Sequence, residues 1–171
     1  MALKTVYDNK IKYNKIVGTI DNLEEKLNGN IPVDRLELIH LVNSWGRISS
    51  FDTNDNIIIP KCEAKECYDL SKLDTSEITD MSQLFQWSEF NGDISNWDVS
   101  NVTNMNKMFY LAKEFNQALN NWDVSNVTNM NGIFKYASKF NQALNDWDVS
   151  NVTNMSEMFY EASNFNQPIL W

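Results

Sequence analysis

Residues 97–105 read WDVSNVTNM, and the same nine letters return at residues 122–130 and 147–155. Each copy runs into a short apolar stretch and then FNQ, beginning at Phe115, Phe140 and Phe165, so the unit is 25 residues long. A degenerate earlier copy, LDTSEITDM from Leu73, lies 24 residues before Trp97, with Phe90 and Asn91 as its FN. A fixed period of this size marks a solenoid, because no single unit can bury its apolar face and stacked neighbours must share one core. The expectation is an α/β solenoid of about four short strand-helix repeats, near residues 73–96, 97–121, 122–146 and 147–171, within a segment 48–171.

Two periodicities alternate inside the unit. Met105, Met108, Phe109 and Ala112 fall at i, i+3, i+4 and i+7, one face of a short helix capped by Thr103 or Asn104. The pattern recurs at Met130, Ile133, Phe134 and Ala137, and at Met155, Met158, Phe159 and Ala162. In the other half Trp122 and Val124 alternate with Asn121, Asp123 and Ser125, as a strand with one buried face would. By the same alternation Trp97, Trp122 and Trp147 belong to the core rather than to a sugar-stacking surface. The repeated asparagines Asn101, Asn126 and Asn151 are read as partners for buried turn backbone.

Residues 1–47 carry no repeat and read as an N-terminal helical cap. Asp21 can cap a helix running to about Leu27, with Gly29 as its stop. A second helix opens at Pro32, carries Val33, Leu36, Ile39, Val42 and Trp45 near helical spacing, and stops at Gly46. Residues 5–17 are compatible with a hairpin around Asp8 and Asn9. After the polar stretch 52–56, Ile57, Ile58 and Ile59 read as a buried strand at the first coil edge, ended by Pro60.

Charge is uneven along the chain. Residues 1–67 hold 9 Lys+Arg and 10 Asp+Glu, whereas residues 68–171 hold 5 and 13, so the repeats carry −8 of the net −9. Such a surface repels phosphate backbones and anionic headgroups, which argues against nucleic acid and bare membrane as partners. No stretch approaches the ~18 apolar residues of a membrane span, so direct membrane insertion is not expected. Taken as complete, the sequence reads as cytoplasmic; with an export signal removed it would read the same.

Enzyme chemistry is not expected, nor is a cofactor. The single histidine, His40, lies beside the apolar face of a cap helix, and none of the nucleophile-elbow, phosphate-loop or dinucleotide glycine patterns occurs. Cys62 and Cys67 have no second Cys or His pair with which to build a zinc site, and their spacing alone leaves free thiols and a small disulfide loop both open.

Three sets of residues are candidates for binding. Asp98, Asp123 and Asp148, with Asp74 in the weaker copy, should recur at equivalent places on adjacent coils. Each carboxylate could bond the backbone of its own Ser-Asn turn, the row could ligate Ca²⁺, or it could meet a basic partner. Asn121 and Asp146 extend that acidic face. Tyr110, Tyr136 and Tyr160 stand among positions that differ between copies, and exposed tyrosine among polar residues suits partner contact.

The repeat FNQ-x-L-x-x-WDVSNVTNM-x-x-MF-x-x-A resembles the 25-residue repeat of BspA-type leucine-rich-repeat surface proteins, common among bacterial lipoproteins and adhesins. The likeness covers about residues 68–171, and the stretch 70–85 looks like the first repeat that follows the helical segment in such proteins. The resemblance implies a leucine-rich-repeat-like right-handed coil, a binding module, and placement at the cell surface or outside the cell. The function expected is non-catalytic protein–protein recognition, adhesin-like or surface-antigen-like, with a protein partner of host or extracellular origin. The alternatives are a Ca²⁺- or glycan-binding module using the Asp ladder, and a self-assembling module. The latter rests on the coil that closes with Ile169, Leu170 and Trp171, which carries no polar cap and so invites homo-oligomer formation.

Overall fold

The computed structural model describes residues 20–43, 50–51, 57–58 and 68–171, the two short pairs by their backbone alone. The hairpin expected within 5–17, the helix stop at Trp45 and Gly46, the polar stretch 52–56, Ile59 with Pro60, and the Cys62 and Cys67 pair lie outside the described residues.

Two helices form the cap, α1 (Leu23–Leu27) and α2 (Arg35–Asn43). The residue before α1 is Asn22, in a left-handed conformation with φ 55°, and not Asp21 as the sequence suggested. Asn22 supplies only its carbonyl, to the Lys26 N–H. Helix α2 starts three residues later than Pro32 predicts, because Asp34 and Glu37 close a reciprocal capping box. The Asp34 carboxylate accepts the Glu37 N–H at 2.9 Å, and the Glu37 carboxylate accepts the Asp34 N–H at 3.0 Å. Lys26 reaches across from α1 to the same Glu37 carboxylate at 2.6 Å, tying the two helices together.

The buried face of α2 is Leu38, Leu41 and Val42, whereas Leu36, assigned to the core from its spacing, is 41% exposed. The sequence of α2 is apolar at positions 36, 38, 39, 41 and 42, so periodicity alone does not choose between two possible faces. After α2, β1 (Ser50–Phe51) and β2 (Ile57–Ile58) pair antiparallel, Ser50 opposite Ile58 and Phe51 opposite Ile57. Ile57 and Ile58 thus form a strand, as the sequence suggested, paired with β1.

From Tyr68 onward the repeats stack in register. Buried positions recur from copy to copy: Trp97, Val99, Val102, Met105, Met108, Phe109, Ala112, Phe115 and Leu119 are matched by equivalent buried residues 25 positions on. Two rows of phenylalanine run through the stack. Phe85, Phe109, Phe134 and Phe159 lie with ring centres 5.2, 5.5 and 5.7 Å apart and nearly parallel. Phe90, Phe115, Phe140 and Phe165 form the second row at 6.3, 6.1 and 5.9 Å. Fully burying each such ring contributes about 1.5–3 kcal/mol, and offset stacking adds to it. The four tryptophan indoles Trp97, Trp122, Trp147 and Trp171 each donate Nε1–H to the carbonyl of a leucine or isoleucine one repeat earlier, at 2.8–3.1 Å.

Neither the helix expected over 105–112 nor the strand expected over 121–125 forms; 106–111 are turns, and 122–124 are irregular backbone between turns at 120–121 and 125–126. Met108, Tyr110 and Ala112 each donate N–H to the carbonyl three residues back, making three overlapping turns. Lys107 and Leu111 have φ 55° and 58°, the left-handed region an α-helix excludes. Four other amides leave the segment: Met105, Lys107, Phe109 and Leu111 donate to the carbonyls of Asn129, Asn131, Ile133 and Lys135 in the next repeat. The spacing i, i+3, i+4, i+7 still buries one face, because a chain of such turns presents the same residues inward. Around Trp122 only turn bonds form, Trp122 to Leu119 and Val127 to Val124, and parallel bridges join Asp80, Asn104, Asn129 and Asn154 singly.

Besides the Val33 N–H, which donates to the Asp74 carbonyl at 3.0 Å, two features join the cap to the stack. Gly29, with φ 75°, sits so close to the first repeat that a Cβ there would lie 2.3 Å from the Lys72 carbonyl oxygen. Arg35 at the start of α2 donates Nε–H to the Asp80 carbonyl at 2.9 Å and Nη2–H to the Ser82 carbonyl at 3.1 Å.

Candidate functional site

Asp98, Asp123 and Asp148 are exposed, as a binding role requires, and each is engaged by its own turn. The Asp98 Oδ1 accepts the Ser100 N–H at 3.0 Å and the Ser100 hydroxyl at 2.6 Å. Asp123 does the same with Ser125, and Asp148 accepts the Ser150 N–H at 3.0 Å. Asp74 with Ser76 repeats the arrangement in the degenerate copy. The hydrogen bonds from Ser100 hold the Asp98 carboxyl below its usual range, and those from Ser150 do so for Asp148. Asp69 and Asp93, a second pair of Asp-x-Ser turns, are lowered mainly by the backbone N–H of Ser71 and Ser95.

The row is therefore a set of turn-closing carboxylates. Among the described residues no group of three or more His, Cys, Asp or Glu is placed to hold a metal ion. Asn121 is exposed beside this row, and Asp146 is tied to the preceding repeat through Asn120, whose amide donates to its carboxylate and whose Oδ1 accepts its N–H. Residues 90–106, 115–131 and 140–156 contain no Lys or Arg, so these segments contribute acidic charge alone.

Asparagines tie the repeats together on the same surface. Asn101, Asn126 and Asn151 donate Nδ2–H to the carbonyls of Ser76, Ser100 and Ser125, one repeat earlier, at 2.8, 2.7 and 2.7 Å. Asn91, Asn116 and Asn141 form a second ladder that spacing alone did not single out. Each Oδ1 accepts the N–H of the asparagine 25 residues on, at 2.9 Å, together with the neighbouring glutamine side chain. The signal was present in the letters FNQ.

Tyr110, Tyr136 and Tyr160 come together into one row. Their ring centres are 5.8 and 5.6 Å apart at 85° and 87°, an edge-to-face chain. Trp87 adds a fourth ring 6.4 Å from Tyr110, a member that the tyrosine pattern did not reveal because it belongs to the degenerate copy. Its indole Nε1 is buried without a hydrogen-bond partner among the described residues. Lys107 lies 5.6 Å from the Tyr110 ring centre, and Lys135 lies between Tyr136 and Tyr160 at 5.4 and 4.8 Å. Lys135 also pairs with Glu157 at 2.8 Å, and that hydrogen bond raises its pKa. Tyr110 and Tyr136 are half-buried and Tyr160 is 50% exposed. The row is a continuous amphipathic strip with fixed cations at its side.

The profile of a family described as "Mycoplasma protein of unknown function, DUF285" matches residues 48–171. Comparison with curated proteins and with solved structures gives no match.

Proposed function

From its membership of the DUF285 family, to which this chain belongs, we propose that the protein is a non-catalytic module for protein–protein recognition of the BspA-type surface-repeat kind. In this reading the stacked turns are a leucine-rich-repeat-like right-handed solenoid, and the partner is a host or extracellular protein. The observation that carries the reading is the aromatic row of Trp87, Tyr110, Tyr136 and Tyr160. Rigid aromatic side chains with polar tips, pre-ordered by mutual contact, lose little entropy on binding and supply much contact area. The acidic turns support the same function less strongly, since their carboxylates already have partners inside the protein.

A quantitative pull-down with the purified chain against extracellular matrix proteins tests this. Capture should be saturable, should weaken at least about tenfold in a Tyr110→Ser/Tyr136→Ser/Tyr160→Ser variant, and should persist in an Asp98→Asn/Asp123→Asn/Asp148→Asn variant. Loss in the aspartate variant alone would move the site to the acidic turns, and absence of saturable capture would contradict the reading.

A further inference from the structure

The cations of the repeats are not spread evenly over the surface. Besides Lys72, residues 68–171 hold Lys107, Lys113, Lys135 and Lys139, and two of these, Lys107 and Lys135, stand against the tyrosine row. Lys135 and Lys139 are already paired, with Glu157 and Glu114. Lys107 is half-buried with its ammonium 5.6 Å from the Tyr110 ring centre, and it pairs with no carboxylate among the described residues.

A second donor beside Tyr110 is also unmet. The Trp87 indole, 6.4 Å from the Tyr110 ring, has its Nε1–H buried without an acceptor among the described residues. The other described indoles, Trp97, Trp122, Trp147 and Trp171, all find a carbonyl, so Trp87 is the exception among them. An unmet buried donor is a standing cost that an incoming acceptor relieves.

Gly132 brings Lys107 and Lys135 side by side. Its equivalents in the other copies, Gln83, Lys107 and Glu157, hold the same left-handed backbone at φ 59°, 55° and 57°, so the fold accepts a side chain there. What glycine adds is space. The Lys107 Cγ and the Lys135 Cδ lie 3.5 and 3.9 Å from the point that its Cβ would occupy, and the two stems lie over a buried Gly132.

We infer that the row at Tyr110 takes an acidic side chain of the partner protein, whose Asp or Glu carboxylate pairs with the Lys107 ammonium while apolar neighbours of that residue lie on Tyr110 and Tyr136. This names the partner chemistry of the aromatic row and rests on that row being the contact surface. Charge complementarity of this kind sets specificity and encounter rate more than raw affinity. An isolated carboxylate fits better than a polyanion. The adjoining segments 90–106 and 115–131 carry Asp93, Asp98 and Asp123 and no Lys or Arg, so a longer anionic chain would meet repulsion on both sides.

The probes are acetyl-Phe-Glu-Phe-amide and acetyl-Phe-Gln-Phe-amide, titrated against the full chain while NMR follows the Lys107, Tyr110, Gly132 and Trp87 indole resonances. Both should give saturable shifts, with the glutamate peptide roughly twofold to fivefold tighter at low salt. In a Lys107→Gln variant, whose new side chain Gln83 shows to fit the same backbone, that preference should vanish while the glutamine peptide binds as before. Equal affinity of the two peptides for the wild-type chain, or a preference that survives Lys107→Gln, would overturn the inference and leave recognition by the aromatic row standing. No saturable shift with either peptide, or a heparin tetrasaccharide bound at these resonances more tightly than the glutamate peptide, would overturn it as well. The broader reading fails only with the pull-down described above.

Discussion

Gly29 is where a single residue decides how the cap meets the repeats. Its φ of 75° is in the region that favours glycine, and the Lys72 carbonyl occupies the space where a Cβ would go. Gly132 also has a positive φ, 59°, but a Cβ there would meet nothing closer than 3.5 Å. Strain from the left-handed backbone costs about 1–2 kcal/mol and forced overpacking about 1–3 kcal/mol more. Gly29→Ala should therefore destabilise the chain by about 2–5 kcal/mol and Gly132→Ala by only the backbone share of about 1–2 kcal/mol. Urea unfolding of the two variants side by side checks this, and equal costs would contradict the assigned contact. The sequence marked Gly29 as a helix stop, but its approach to Lys72 depends on a contact 43 positions away, which no local pattern encodes.

Among the elements, the turns carry both stability and the lesson of how the sequence is read. Met105, Met108, Phe109 and Ala112 were legible as one buried face, and they are buried. The element itself was not legible. A helix and a run of turns with left-handed residues four positions apart bury the same spacing, and nothing local reveals that alternate amides bond to the next repeat. The Asp-x-Ser turns were legible as one of three readings, because the chemistry is local: a carboxylate two residues before a free N–H. The aromatic row was legible in its tyrosines and not in Trp87, whose copy has diverged from the others.

Those turns also set a pH dependence. The folded-state pKa values of Asp69, Asp93, Asp98 and Asp148 lie below the usual carboxylate value, so their contribution is present above that value and lost as pH falls through the lowered ones. The urea midpoint should hold steady from neutral pH to about pH 5 and fall below about pH 4. Asn104 closes the same turn onto Asn106 with an amide oxygen, so Asp98→Asn should keep the fold and show a shallower acid limb. An unchanged acid limb in that variant would remove Asp98 from the account.

For the whole molecule, peptide hydrogen bonds join the repeats in both directions: alternate amides such as Met105, Lys107, Phe109 and Leu111 donate to the following repeat, and Thr103, Thr128 and Thr153 donate to the preceding one. At the cap, Arg35 of α2 donates to the Asp80 and Ser82 carbonyls, where the repeats themselves use peptide amides. The molecule's surface carries an acidic, turn-closing row and a row of contacting aromatics, while the interior holds the phenylalanine columns. The recurrence of buried positions was legible from the 25-residue period, whereas the direction of each peptide hydrogen bond was not, since side-chain identity does not set it.

Residue-resolved amide hydrogen exchange tests this bonding between repeats most directly. The amides of Met130, Gly132, Phe134 and Tyr136 should be strongly protected, because they donate into the next repeat, while those of Met155, Glu157, Phe159 and Glu161, at equivalent positions, should exchange far faster. Equal protection of the two sets, or helix-like protection of every consecutive amide from 130 to 137, would contradict the account.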